Sequence, residues 1–256
     1  MTNTNQKEEE LDISGNETLT DLSKYAGAKK LDMSYCNRVT ALTPLAGIEE
    51  LIMINCHGVT DLTPLAGINK LNMKFCEGVT DVSALKGIEE LNMSYCNEVT
   101  NISELKGIKK LNMSHCENIK DISALAGIEE LEMRSCTSVT NVSALKGIKK
   151  LNMSWCGRVT DMSALAGIEE LNMQYCTGVT DVSSLKGIKK LDMSGCYNIT
   201  DVSALAGIEE LDMAGCTRVT DVSALVGLKH LTISRGQKPK GLEELKQAGC
   251  EIKEWW

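Results

Sequence analysis

Apolar side chains recur along this chain with two spacings that trade places every twenty residues. In the copy that starts at Leu151, Leu151 and Met153 alternate with Asn152 and Ser154, the period of two expected of a short strand with one buried face. After Cys156 the spacing widens to three, through Val159, Met162, Leu165, Ile168 and Leu171. A period of three fits a 3₁₀ or extended turn better than an α-helix, and the unit is too short to hold a long helix. Asp161 and Ser163 are placed to bond local backbone amides, and Gly167 supplies the dihedrals needed to turn back. Each copy is predicted to be one coil, with a strand on one side and a tight turn on the other.

The unit G-I-x-x-L-x-M-S-x-C-x-x-V-T-D-V-S-A-L-x runs from Leu11 to Ser234 with no linker, insertion or break in composition. Repetition at a fixed period marks a solenoid, because no single coil can bury its own apolar side. Stacking lines up Leu, Met, Cys, Val, Val, Leu and Ile as seven columns of a continuous core. Each buried aliphatic side chain contributes about 1.5–3 kcal/mol, so contacts between neighbouring coils dominate stability. The ends depart from the pattern. Asn16, Tyr25 and Ala28 stand where Cys, Leu and Ile are the rule, while Lys238 to Ala248 reads as a short helix and Glu251 to Trp256 as a strand. The expected organisation is a polar tail over 1–8, a solenoid of about 12 coils over 9–235, and a cap over 236–256 that covers the last coil with Trp255 and Trp256.

These residues resemble the leucine-rich repeat family. Ile168-x-x-Leu171-x-Met173-x-x-Cys176 fits its L-x-x-L-x-L-x-x-N/C pattern, with Met in place of the third Leu. The continuation to Val179-Thr180-Asp181 is similar to the cysteine-containing subclass, known from substrate-binding domains of ubiquitin-ligase subunits. The short D-V-S-A-L return is more similar to internalin-type repeats. The resemblance implies an α/β-type solenoid, a right-handed coil with a parallel β-sheet on its concave side and short 3₁₀ or turn segments on its convex side. It implies little about the ligand, because members of the family share the frame rather than the partner.

Charge enters at one position of the coil. The pair before each strand alternates in sign from coil to coil, as in Glu129-Glu130, Lys149-Lys150, Glu169-Glu170 and Lys189-Lys190. It begins at Glu9-Glu10 and ends at Lys229-His230. Residues twenty apart should lie about 4.8 Å from each other in a parallel stack. Alternation then gives every pair opposite neighbours, and a slip by one coil would bring like charges together. A register-setting ladder is the expected role, with a ligand surface as the alternative.

The whole chain has 27 basic and 35 acidic residues, a formal charge of -8 and 4% aromatics. That balance argues against a nucleic-acid backbone or an anionic membrane as the main partner. The start, MTNTNQKEEE, has no apolar signal core, and no stretch approaches the roughly 18 apolar residues of a membrane span. Ten of the 11 cysteines, Cys36 to Cys216, recur at the coil period, with Cys250 apart. They are expected to be reduced, inward-facing thiols of a cytoplasmic protein. His57, His115 and His230 sit in separate coils, no C-x₂-C pair occurs and each Gly is an isolated turn residue. Neither catalysis nor a metal or other cofactor is expected.

Two columns on the strand side remain. One is polar and monotonous, from Asp12 and Asp32 through Asn72, Asn92, Asn112, Asn152 and Asn172 to Asp192 and Asp212, and reads as a hydrogen-bonding ladder on a solvated face. The other, just before Cys, collects most of the aromatic residues: Tyr35, Phe75, Tyr95, His115, Trp155 and Tyr175, with Lys74, Arg134 and Gln174 beside it. Outward rings with a few long polar neighbours have the composition of a protein-binding hot spot. The alternative is that the rings only stack on one another. The expected function is a non-enzymatic, intracellular interaction module that holds a protein partner on this stripe. The competing reading is a structural or self-associating scaffold, including a consensus-like or designed repeat, with no specific ligand. A monomer is expected, with dimerisation through the N-terminal sheet edge as the alternative.

Overall fold

A computed structural model describes residues 11–255. The polar tail at 1–8, the Glu9-Glu10 pair and Trp256 lie outside the described residues. The chain divides into two compact units, one ending at Asn118 and the other beginning at Ile119.

The first unit carries six strands: β1 (Leu11–Asp12), β2 (Lys30–Asp32), β3 (Glu50–Ile52), β4 (Lys70–Asn72), β5 (Glu90–Asn92) and β6 (Lys110–Asn112). They pair in parallel and in sequence order, with Leu31 opposite Leu51 and Leu51 opposite Leu71. The second unit carries β7 (Glu130–Glu132), β8 (Lys150–Asn152), β9 (Glu170–Asn172), β10 (Lys190–Asp192), β11 (Glu210–Asp212), β12 (His230–Ser234) and β13 (Glu251–Trp255). Their pairing is again parallel and sequential, offset by twenty residues until β12, where His230 faces Glu251. The fold in both units is the leucine-rich repeat coil.

Each strand is shorter than the alternation of its side chains suggests, but the ladder outlasts it. Met33 and Tyr35 still donate backbone N–H groups to Ile52 and Ile54 of the next coil, both at 2.8 Å. On the opposite side each coil from Ser23–Tyr25 to Ser203–Leu205 closes with one 3₁₀ turn. The Asp161 carboxylate accepts the Ser163 N–H at 2.8 Å and so starts such a turn. Leu165 N–H then donates to Met162 C=O at 2.9 Å, and Gly167 follows at φ +82°. A side chain at that φ would be strained, which is why the turn ends on glycine.

All seven apolar columns are buried, as in Leu151, Met153, Cys156, Val159, Met162, Leu165 and Ile168. The cysteines are reduced and buried in every coil that has one. Each does more than fill space. Cys156 Sγ–H donates to Met133 C=O at 3.1 Å, and Cys176 to Met153 C=O at 3.0 Å. In the first unit Cys56 and Cys76 bond Met33 and Met53 in the same way, at 3.1 and 2.9 Å. The thiol is small and apolar enough for the column, and it gives a second hydrogen bond to a carbonyl that already accepts a backbone N–H, as Met133 C=O does from Cys136 at 3.2 Å.

The last coil ends differently. Residues 221–227 form turns without a 3₁₀ segment, and Asp221 bridges to Lys240. Val222 N–H donates to Lys240 C=O and Lys240 N–H to Thr220 C=O, both at 2.8 Å. Helix α1 (Leu242–Gln247) buries Leu242 and Leu245, and β13 then adds to the sheet beside β12.

Candidate functional site

The aromatic column lies in the turn that follows each strand, and its backbone is unusual. Tyr35, Phe75, Tyr95, His115, Trp155 and Tyr175 all have φ between 55° and 65°, the left-handed region. Asn55 and Ser135 share it, and Gly15, Gly195 and Gly215 fill it at the equivalent points of other coils. Glycine adopts this conformation without cost, whereas a side chain there costs on the order of 1–2 kcal/mol. The sequence reading placed these rings as outward strand residues. The structure moves them onto turns, because the strand ends three residues earlier.

In the first unit Phe75 stacks on Tyr95 with centroids 4.4 Å apart, and Tyr95 on His115 at 4.2 Å. Lys74 Nζ lies 4.9 Å from the Phe75 centroid and 5.7 Å from that of Tyr95, within cation–π range. Tyr35 stands between Gly15 and Asn55 in its column and is 52% exposed. In the second unit Trp155 and Tyr175 meet at 4.2 Å and are 43% and 42% exposed. The Tyr175 ring then covers Gly195, where an added Cβ would fall 2.5 Å from its Cδ1. A ring thus lies over the coil that follows it, and a glycine there makes the room. Gln174 is half-buried beside Tyr175, while Arg134 is exposed one residue before Ser135.

The polar column is built within coils. Asn152 Oδ1 accepts the N–H of Ser154 at 3.1 Å, Asn172 that of Gln174 at 3.0 Å and Asp212 that of Ala214 at 3.0 Å. The side-chain oxygen bonds within its own coil because the tight turn leaves the amide two residues on without another acceptor, and the Asn152 side chain also bonds Glu132 of the preceding coil. Glu132 departs from the pattern. Although the residue is exposed, partial desolvation of its carboxyl by the surrounding sheet raises it above the usual range, against the opposing hydrogen bond from Asn152. An open trough of about 660 Å³ crosses the strand face of the second unit, with Asn152, Asn172, Asp192 and Asp212 on its floor.

The charged pairs meet across coils. Lys149 Nζ lies 3.2 Å from Glu169 and Lys150 Nζ 3.1 Å from Glu170. Lys189 reaches the same Glu169 at 3.5 Å, and Lys190 reaches Glu210 at 2.9 Å. Hydrogen bonding from Lys149 and the charge of Lys189 lower the Glu169 carboxyl, while Glu210 raises Lys190. Glu129 and Glu130 head the next coil toward the N-terminus. The first unit repeats the arrangement, with Lys30–Glu50 at 3.3 Å and Lys70–Glu90 at 3.4 Å.

Burial pushes the thiols up, Cys56 to about 11 and Cys76, Cys156 and Cys196 to about 12. Among the described residues no three His, Cys, Asp or Glu side chains gather so as to hold a metal ion. No described helix is long and apolar enough to cross a membrane. Trp255, expected to cover the last coil, is instead 66% exposed, because β13 joins the sheet edge and leaves the covering to Leu242 and Leu245 of α1; Val226 is an exposed apolar residue that the sequence reading does not single out. The signal for Val226 was its place in a column otherwise held by Ala or Lys.

Geometry and repeat define a leucine-rich repeat protein fold. No protein-family model matches the chain, and no curated protein does either. Solved structures do. An internalin, inlF of Listeria monocytogenes, is similar at a TM-score of 0.64 and 14% identity, covering 92% of this chain and 82% of that one. The functional domain of InlJ from Listeria monocytogenes, which includes a cysteine ladder, is similar at a TM-score of 0.54 and 16% identity. That match covers 85% of this chain and 60% of the other, so this chain spans less than two thirds of the InlJ domain. Likeness at this identity establishes the fold.

Proposed function

We propose that the chain is a non-enzymatic protein-interaction module that holds a protein partner on the turns following its strands. The observation that carries this reading is the left-handed backbone beneath the exposed rings. Glycine serves that turn at Gly195 and Gly215, so an aromatic residue there adds conformational cost without filling the core. Rings held rigidly and half in solvent suit the hot spot of an interface, flanked by Lys74, Arg134 and Gln174. Leucine-rich repeat proteins commonly act through such surfaces, and the internalin-like fold supports the same use. The cysteines are raised toward their protonated form, which suits packing rather than nucleophilic work, and a reducing, cytoplasmic setting fits them. A second reading, in which the rings serve only each other, draws on the stacking of Phe75, Tyr95 and His115. Tyr35 has no ring beside it in its column, so stacking leaves it unaccounted for.

The test replaces Tyr35, Phe75, Tyr95, Trp155 and Tyr175 together by Gly, which relieves the backbone and deletes the rings. Affinity capture from cell extract with wild type and variant, both shown to be folded by circular dichroism, is expected to lose the specifically retained protein by at least tenfold. An unchanged retained set overturns the assignment.

A further inference from the structure

We propose that the outer edge of β13 is a twofold self-association surface, on which a second copy of this chain adds its own β13 in antiparallel orientation. The parallel ladder decides which backbone groups are free to do this. Glu251 N–H donates to Lys229 C=O at 2.8 Å, and Trp255 C=O accepts Arg235 N–H at 2.7 Å. Bonding residues alternate along a parallel strand, so Glu251, Lys253 and Trp255 turn their groups to β12, while Ile252 and Glu254 turn theirs outward. Strand β13 closes the order of the sheet, with β12 on one side and no described strand on the other. Ile252 is half-buried, the rest of β13 is exposed, and Trp255 is 66% exposed. An edge with outward donors and acceptors is a template for another strand.

The charges select the occupant and its register. A twofold axis perpendicular to the sheet sets one residue opposite its own copy. Centring on Glu251, Lys253 or Glu254 places like charge on like charge. Centring on Ile252 places an apolar side chain on itself and lets its outward N–H and C=O exchange two hydrogen bonds with those of the copy. It also sets Glu251 opposite Lys253 of the copy, and Lys253 opposite Glu251 of the copy. The same register carries Trp255 toward Gly249 of the copy, a residue at φ +93° with nothing within 4 Å of where its Cβ would stand.

The ladder within the coils supports this occupant. An interior acid such as Glu169 has lysines on both sides, Lys149 at 3.2 Å and Lys189 at 3.5 Å. Glu251 has His230 on one side, with Nδ1 and Oε2 3.0 Å apart. Within its own strand it has Lys253 at 3.8 Å. The copy supplies the missing cross-strand lysine. A pair built about this axis is closed and does not grow further. This inference does not rest on the aromatic turns.

The experiment is sedimentation velocity of the full chain from micromolar to millimolar concentration, expected to show monomer and dimer alone. Ile252→Pro removes an outward N–H without taking a bond from β12, as proline at a strand edge permits. It is expected to raise the dimer dissociation constant at least tenfold while Tm holds. Lys253→Glu is expected to weaken the dimer similarly, and adding Glu251→Lys to restore it to within threefold, which keeps the test sound if the proline variant unfolds. A monomer throughout the range overturns the proposal, as does a dimer indifferent to all three variants. Growth beyond the dimer overturns it too, pointing to open head-to-tail pairing through β1.

Discussion

At Tyr35 the cost of a left-handed turn is separable from every ring contact, since its column neighbours are Gly15 and Asn55. Its φ of 64° is one that β-branched residues tolerate worst. Tyr35→Val is therefore expected to be about 1–2 kcal/mol less stable than Tyr35→Gly in urea unfolding. Equal stabilities would show that the turn imposes no such constraint. The identity of the aromatic column is plain in the sequence, as is its contrast with the polar column beside it. Its backbone was not, although the glycines at Gly15, Gly195 and Gly215 were the available signal: a column shared by Gly, Asn and rings is a column of positive φ. The thiol bonds were equally hidden. A cysteine in register reads as a small hydrophobe, and its bond to the methionine carbonyl of the preceding coil exists only once coils are stacked.

Among elements, the strands owe their register to two independent signals that agree. Within each unit leucine faces leucine across neighbouring strands as far as β12, where Leu231 faces Ile252 instead, and charge faces opposite charge at the position before it. Solvent-exposed ion pairs are individually weak and are screened by salt, so their contribution depends on ionic strength. Replacing Lys149 and Lys150 by Glu sets acids against Glu129, Glu130, Glu169 and Glu170. The variant is expected to melt several degrees below wild type at low salt and close to it at molar salt. An equal loss at both would assign the effect to packing. Both signals were legible because a period of twenty converts sequence offset directly into spatial neighbourhood. The trough floor is less legible for a local reason: the side-chain oxygen of Asn152 is taken by the amide two residues on, and only its NH2 group is left to reach Glu132 of the preceding coil.

For the whole molecule the cysteine column adds a collective dependence on pH. Burial raises Cys56 to about 11 and Cys76, Cys116, Cys156, Cys196 and Cys216 to about 12, from an ordinary 9.0. Below pH 9 these thiols are protonated in folded and unfolded chains alike, and their stabilisation is whole. Above it the unfolded chain loses protons that the folded chain keeps, so stability falls as pH climbs from 9 toward 11–12. Each such thiol contributes a slope of about 1.4 kcal/mol per pH unit in that window. Melting curves between pH 8 and 11 are expected to shift steeply downward, and less steeply with Cys156 and Cys176 replaced by Ala. The same slope in both proteins would remove the thiols as the cause.

The sequence by itself determined the coil, its period, its seven buried columns and the alternation of charge, because each follows from side-chain chemistry repeated at one interval. Tertiary structure decided what repetition cannot encode. It set where each strand stops and its turn becomes left-handed, and which carbonyl each thiol reaches. It also decided which backbone groups of β13 face away from the sheet. Those outcomes depend on the backbone of an adjoining coil, and a pattern of side chains specifies that neighbour without specifying its geometry.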